Sequence, residues 1–523
     1  AAVVVSAGIL VSRLLGFARD VVMTGLLGAT VESDIYFAAF FIPDILFYLM
    51  AGGYLSITFI PMLTDRFSSG DDRSGWAAFS AVAKPILTGM VVVTAAAIVW
   101  ADWLVDLTYV RFVNALPGSP DATALGPADL ARVADLTRIV LPAQVFFMAG
   151  SLLMAVQYAK RSFLIPSLAP VIYNLGIIAG GSLAYLAGSG GAAGFAWGAL
   201  AGAVVGNFTI QAWGARRVGL RWVSGTGWWT PVLKEYLVLA VPLMLGQSIA
   251  VLDEQFIRVF GQTLGEAAIS ELNYGRRLTM LPVGVIAQAA GVAAYPFLAA
   301  LASEGRLVEL AGTVTKALRY TLFVGIAATA AVVATSQVAV RVAFQRNVFD
   351  VGATIGTAGA LTLFALSIPL WGAHQVYARG FYSRRMMWTP VVVGTVWTAI
   401  GIPLYIVLIE RFGQNGLPLA SVLAMAGYTL TLAIAWYRSA GTEGLGALAS
   451  TVAKALIAAV PAGWAAWEVA RRFGGPVEGL TLGRGILTLV LAGAVLATVF
   501  VGVARLTGSE ELAALRPSRS GRA

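Results

Sequence analysis

The sequence predicts an all-α polytopic membrane protein of about fourteen transmembrane helices, and three observations carry that reading. Apolar residues make up 59% of the 523-residue chain and charged residues only 12%, with a mean hydropathy of +0.81, far from a soluble composition. A window of about 19 residues finds about fourteen apolar stretches, each long enough to cross about 30 Å of hydrocarbon. Basic residues are dense in alternate connections, as they are when cytoplasmic loops are enriched in Lys and Arg.

In chain order the first stretch, near Ala1 to Gly28, is apolar except for Arg13, Arg19 and Asp20. Asp34 to Leu63 and Ala78 to Val105 follow, and then a connection, about Asp106 to Asp129, with the Pro/Gly/Ala/Asp composition of a linker. Ala131 to Tyr158, Phe163 to Ala187 and Ala192 to Trp213 complete six; in the last, Gly198, Gly202 and Gly206 form a small-residue ladder that lets helices approach closely. The seventh, Val232 to Phe260, carries Asp253, Glu254 and Arg258, and the eighth, Ala267 to Leu301, carries Arg277 and Pro282. Gly312 to Val340, Ala353 to Tyr382, Thr389 to Ile409, Leu417 to Tyr437, Ser450 to Ala470 and Gly485 to Ala504 complete the set.

Residues 1–213 and 214–440 are expected to form two six-helix lobes around a central cationic cavity, with 441–506 an appended helix pair and 507–523 a cytoplasmic tail. An even count puts both termini on one side. Connections after even-numbered stretches plus the tail hold about seventeen Lys and Arg against about seven elsewhere, which places both termini in the cytoplasm. The formal charge of +9 is therefore mostly topology, and no basic run is interleaved with stacking aromatics for a nucleic-acid role. Without cysteine there is no disulfide, thiolate metal site or cysteine nucleophile, and one histidine supplies no zinc cluster, so no cofactor or metal is expected. The chain begins Ala1-Ala2-Val3 with no Met, so a short lead is expected before it; no cleavable signal peptide is recognisable.

A charge at the centre of a membrane helix costs at least about 3 kcal/mol on insertion scales, so such residues usually face a protein cavity and mark a substrate or ion path. Arg13 and Arg19 are six apart, on different helix faces, with Gly16 able to loosen the helix between them. Arginine suits phosphate because its planar fork donates in pairs and stays protonated when desolvated, and Asp20 would hold Arg19 in position. The competing reading is that both arginines snorkel or pair with acids. Arg277 lies just inside the eighth stretch, where Pro282 frees backbone carbonyls. Glu254 and Arg258, four apart, can neutralise each other as a structural pair. His374, with Gln375 and Arg379 in the tenth stretch, is either a polar packing residue or a proton-linked switch.

The run Ser12-Arg13-Leu14-Leu15-Gly16-Phe17-Ala18-Arg19-Asp20 and the run Asp34-Ile35-Tyr36-Phe37-Ala38-Ala39-Phe40-Phe41-Ile42-Pro43 resemble the opening of the MurJ/MviN family. These are lipid II flippases of the multidrug/oligosaccharidyl-lipid/polysaccharide exporter superfamily. Arg161-Ser162-Phe163-Leu164-Ile165-Pro166, Asn174, Ala196-Trp197-Gly198, Tyr274 with Arg277 and Pro282, and Gly380-Phe381-Tyr382-Ser383-Arg384 with Thr389-Pro390 continue the match in family order. The resemblance implies a monomeric, alternating-access transporter of the bacterial inner membrane. It would move undecaprenyl-pyrophosphate-linked disaccharide-pentapeptide outward, prenyl tail in lipid, for cell-wall synthesis. It also implies that Arg13, Arg19 and Arg277 are the substrate-binding cavity arginines, while Asp20, Asp34 and Pro282 orient helices or gate.

One block departs. The family's second helix usually reads proline, asparagine, two leucines, two arginines and then an acid before glycine, whereas this chain reads Pro43-Asp44-Ile45-Leu46-Phe47-Tyr48-Leu49-Met50-Ala51-Gly52-Gly53. Each lost arginine removes charge-assisted contacts worth roughly 1.5 to 3 kcal/mol, which leaves another polyprenyl-pyrophosphate glycan as the alternative cargo. Phe47 and Tyr48 are expected to pack rather than to stack on a sugar. An enzyme reading, a prenyl-dependent glycosyltransferase, needs acidic metal ligands or a base on a substantial outer loop, and neither an Asp-x-Asp motif nor such a domain is present. A drug exporter would want an acidic cavity for cationic cargo. Sodium coupling would want carboxylates and amides in the second lobe, and Thr389 to Ile409 holds neither; membrane potential acting on the cavity charges, about 2.3 kcal/mol per charge per 100 mV, is the other energy source.

Overall fold

The computed structural model describes residues 2–50, 58–68, 72–115, 124–287, 293–476 and 479–514, and every regular element among them is helical. The chain divides into two compact units, one of Ala1–Ser270 with Arg346–Phe349, the other of Glu271–Gln345 with Asp350–Ala523.

In the first unit the helix Ala2–Leu27 runs unbroken through Gly16 and stops at Gly28, whose φ of 70° is the left-handed conformation that ends helices. The second stretch is broken into Val31–Ala39 and Phe41–Met50 because Pro43 has no N–H to donate and its ring crowds the carbonyl four residues back. The carbonyls at that break are satisfied from elsewhere: Tyr109 Oη donates to Ala38 O at 3.0 Å and Thr137 Oγ1 to Ala39 O at 3.1 Å. Pro142 separates Pro127–Val140 from Ala143–Ala159 in the same way.

Leu164–Leu186 and Ala192–Gly202 pack glycine against glycine, as the ladder predicted. A methyl group on Gly198 would stand 2.4 Å from the Gly176 carbonyl oxygen, so the backbones are already at contact. Ala192–Gly202 continues through the π-helical stretch Ala203–Thr209 into Ile210–Arg217, and Gly150 of Ala143–Ala159 meets that stretch so closely that a Cβ there would lie 1.8 Å from Asn207 O. Connections gather in two groups. Glu32 accepts from the Ala192 backbone N–H at 2.7 Å and pairs with Arg132. Separately, Asp72 pairs with Lys160, Ser80 Oγ accepts from Val223 N–H at 2.9 Å, and Arg66 pairs with Glu235 at 3.0 Å. The first group joins connections after odd-numbered stretches and the second those after even-numbered ones, as alternating crossings require.

The second unit is built around Leu307–Ala343, 37 residues and so about 55 Å long at 1.5 Å per residue. Against it pack Ile368–Ser383, Leu445–Val469 and Leu482–Leu506. Val351–Ala365 and Ile368–Ser383 are bent by 41° at a break before Pro369, and Gly325 lets Pro369 approach. Trp388–Phe412 and Gly416–Ala440 form a helical hairpin tied by Trp397 Nε1 to Thr431 Oγ1 at 2.8 Å and by Tyr428 Oη to Pro390 O at 2.9 Å.

Among the described residues eight stretches are long and apolar enough to cross a membrane, one of them the Trp388–Ala440 hairpin, and the bent pair makes a ninth. Four of the fourteen expected stretches are missing from that set: the first, second, seventh and eighth. The first, seventh and eighth carry charged side chains along their length, and the second is the one broken before Pro43.

Candidate functional site

If the chain is read as two sets of six stretches, the first and second correspond to the seventh and eighth. Interrupted or polar segments at corresponding positions of two halves are the strongest sequence-readable mark of a transport site.

In the first unit, Arg19 is 20% exposed and turns two of its nitrogens onto one oxygen of Asp20, Nη2 at 2.9 Å and Nε at 3.1 Å. Asp20 is buried, so the neighbouring carboxylate fixes the guanidinium as expected from the sequence. Arg13 is exposed on the same helix, its side chain making no hydrogen bond or ion pair among the described residues. Gly16 is a packing position: its open side faces Asn174, whose Nδ2 donates to Pro170 O at 2.9 Å. Asp34 is fully buried, and its Oδ1 accepts from the Ser270 backbone N–H at 2.7 Å. Ser270 lies in the first turn of Ala268–Ala287, where amides lack helical partners and the helix dipole favours a negative charge, so Asp34 anchors the start of the eighth helix.

The sequence reading did not foresee the partner of Arg258. That side chain is 4% exposed and donates from Nη1 to Asp44 Oδ2 at 2.7 Å and to Gln255 Oε1 at 3.1 Å, with Glu254 Oε1 farther from Nη2 at 3.4 Å. The expected Glu254–Arg258 pair exists, but the closer carboxylate is Asp44, which replaces the family's asparagine in the departing block. An acid appearing there, where two arginines vanish a few residues on, was the available signal. Phe47 and Tyr48, at the places of those arginines, pack edge-on to each other at 5.6 Å, and Phe47 meets Phe147 at 5.6 Å, which in turn meets Tyr173 at 5.1 Å. Gly52 lies outside the described residues.

In the second unit, Arg277 is partly buried on Ala268–Ala287, next to the buried Arg276 and five residues before Pro282, which removes the N–H that would have bonded Leu278 O. Tyr274, fully buried, meets the Phe344 ring at 5.4 Å, and Glu271 Oε2 accepts from Gln414 Nε2 at 2.6 Å. These contacts fix the helix bearing Arg277. His374 is buried between Trp371 at 5.9 Å and Tyr428 at 4.6 Å, a packing position.

Comparison with known proteins decides the family. The profile described as Lipid II flippase MurJ matches residues 23–476. The chain belongs to the MurJ family of lipid II flippases. Among similar MurJ-family proteins, the probable lipid II flippase of Vibrio cholerae is 27% identical over 425 residues, covering 81% of this chain and 79% of its own. The probable lipid II flippase of Rhizobium meliloti is 26% identical over 419 residues, 79% and 76%. A solved lipid II flippase MurJ in an inward closed conformation superposes with a TM-score of 0.74 at 19% identity, over 96% of this chain and 99% of that one. An inward-facing multidrug resistance MATE transporter of the MOP superfamily gives 0.65 at 16% identity, over 84% and 96%. Asp34, Arg277 and Pro282 lie inside the MurJ-matched interval, while Arg13, Arg19 and Asp20 precede it. The protein is thus a multi-pass membrane transporter of this family.

Proposed function

We propose that this protein carries lipid II from the inner to the outer leaflet of the bacterial inner membrane by alternating access, with both termini in the cytoplasm, as a monomer and without making or breaking a covalent bond. The observation that carries this reading is that the polar pairs of stretches opening the two sixfold halves each carry an arginine on a fixed support: Arg19 on the first, held by Asp20, and Arg277 on the eighth, whose helix is fixed through Glu271 and Tyr274. Arg13, Arg19 and Arg277 are the substrate-binding cations. A pyrophosphate brings about two negative charges, and preset guanidinium forks replace its hydration without having to reorganise. Arg19 keeps one nitrogen clear of Asp20, so it can engage a phosphate oxygen while its carboxylate partner holds it in place. The prenyl tail stays in lipid, so only the headgroup needs a polar path. Asp20 and Asp34 serve as orienting groups. Residues 1–213 and 214–440 are the moving lobes, with 441–506 appended.

The second-helix departure favours one further reading, a paralogue that moves a different polyprenyl-pyrophosphate glycan, because Asp44 and the Phe47–Tyr48 pair make this helix acidic and aromatic where the family has it basic. Proteoliposomes containing lipid II and, separately, another undecaprenyl-pyrophosphate glycan distinguish the two. Faster translocation of lipid II is expected; movement of the other glycan alone would select the paralogue.

A further inference from the structure

Two helix ends in this chain share a pattern, a tyrosine followed two residues on by a pair of basic residues, and a backbone device. Ala143–Ala159 runs out in Tyr158-Ala159-Lys160-Arg161, and Ile368–Ser383 in Tyr382-Ser383-Arg384-Arg385. In both, the last arginine has a φ of 59°. In both, the next N–H returns to a carbonyl five residues back, Ser162 to Gln157 at 2.8 Å and Met386 to Phe381 at 2.9 Å. This is the helix-ending position where glycine is usual, so an arginine kept there points to a use for the side chain.

The two corners differ in what surrounds the charge. In the first unit Lys160 pairs with Asp72 and lies 4.2 Å over the Phe67 ring. In the second, no acid is paired with either arginine among the described residues. Arg384 donates from Nη1 to Ser439 Oγ at 2.9 Å and stands 5.7 Å from the Trp436 ring, and the exposed Arg385 side chain makes no hydrogen bond or ion pair among the described residues. The acids of the neighbouring connection, Glu304 and Glu309, are both occupied by Arg306. The two arginines border a cavity of about 630 Å³ whose other walls include Ser303, Ser383 and Tyr382. Leu307 and Met387, both exposed, line it as well, and exposed Trp388 follows Met387 directly in the chain. Cations, hydroxyls and space for a phosphate, next to an exposed tryptophan at the start of a membrane helix, describe the headgroup level of a bilayer.

We propose that this corner binds the phosphate headgroup of an anionic lipid from the adjoining leaflet, with Arg384 and Arg385 on the phosphate and Leu307, Met387 and Trp388 against the upper acyl chains. The apolar rim selects a lipid over a free phosphate, which would leave those side chains uncovered. The site lies wholly in the second unit and does not depend on the identity of the transported glycan.

The test is native mass spectrometry of the full-length protein with phosphatidylglycerol and phosphatidylcholine of identical chains. Preferential retention of phosphatidylglycerol is expected. Arg385→Gly suits the backbone and so should keep the fold, yet it should cut retention about tenfold, the worth of one charge-assisted contact. Arg385→Lys should keep most of the retention, and Arg161→Gly at the twin corner should leave it unchanged. Equal retention of the two lipids, or wild-type retention by Arg385→Gly, would overturn the proposal. Displacement of phosphatidylglycerol by excess inorganic phosphate at unchanged lipid concentration would show a free-phosphate site and overturn the lipid assignment.

Discussion

Helices Leu164–Leu186 and Ala192–Gly202 meet through glycines with no charged side chain between them, whereas Phe41–Met50 and Pro231–Gly261 meet through Asp44, Glu254 and Arg258. The first contact is made by shape alone. In a membrane that is the ordinary way to join helices, because burying apolar surface there yields no hydrophobic gain. The second places three charges in a membrane domain, an arrangement that depends on the arginine and at least one carboxylate partner remaining together. The transport cations proposed above sit on charged helices rather than on this glycine-packed pair.

The comparison breaks most visibly at Arg277. Arg277→Ala should reduce lipid II translocation by at least about tenfold, the loss of one charge-assisted pair of bonds, while membrane insertion and thermal stability stay near wild type. An assay of flipping in proteoliposomes, beside a melting curve, checks both halves; unchanged transport would remove Arg277 from the site. Next comes the charged contact itself. Arg258→Ala strands Asp44 and Glu254 and should destabilise by about 3 kcal/mol or more, while Asp44→Asn, which leaves Glu254 to neutralise Arg258, should cost clearly less. Equal melting temperatures for the two variants would mean the cluster is solvated rather than mutually dependent.

Gly198→Ala tests the glycine side of the comparison. The added methyl group would press on the Gly176 carbonyl, and the expected loss is about 1–3 kcal/mol, read as a lower melting temperature, with the transport rate per folded molecule unchanged.

How much of this was legible in the sequence depended on the range of the interaction. The glycine ladder and the Arg19–Asp20 pair are local, and spacing or adjacency exposes them, whereas the breaks at Pro43 and Pro142 fall inside stretches that hydropathy alone reads as continuous. Glu254–Arg258, four residues apart, was half-visible: the spacing gave the pair but not its stronger member. Asp44 lies 214 residues from Arg258, and no local rule links them. Asp34's partner is a backbone amide of Ser270, and every residue but proline owns such a donor, so no side-chain signature marks the chosen one.

The smallest effect is expected at the end of the second unit. Glu511, buried, accepts from Thr451 Oγ1 at 2.6 Å and pairs with Arg319 at 2.7 Å. Burial alone would raise its carboxyl, but the hydrogen bonds from Thr451, its own backbone and Arg319 hold it below the ordinary 4.5. A depressed carboxyl contributes stability that is complete above its unfolded value and is lost as pH falls through the folded one. Wild type should accordingly lose melting temperature on acidification below pH 4.5 faster than Glu511→Gln, which itself should start about 1 kcal/mol less stable near neutral pH. Parallel pH profiles would mean the carboxylate is not held.

The measurement that bears most directly on the central claim is complementation: expression of this chain in bacteria depleted of their own lipid II flippase, with lipid II scored in the outer leaflet. The account predicts rescue, showing that a second helix with Asp44, Phe47 and Tyr48 in place of the family's residues still serves lipid II. Correctly inserted protein that leaves lipid II in the inner leaflet would contradict it.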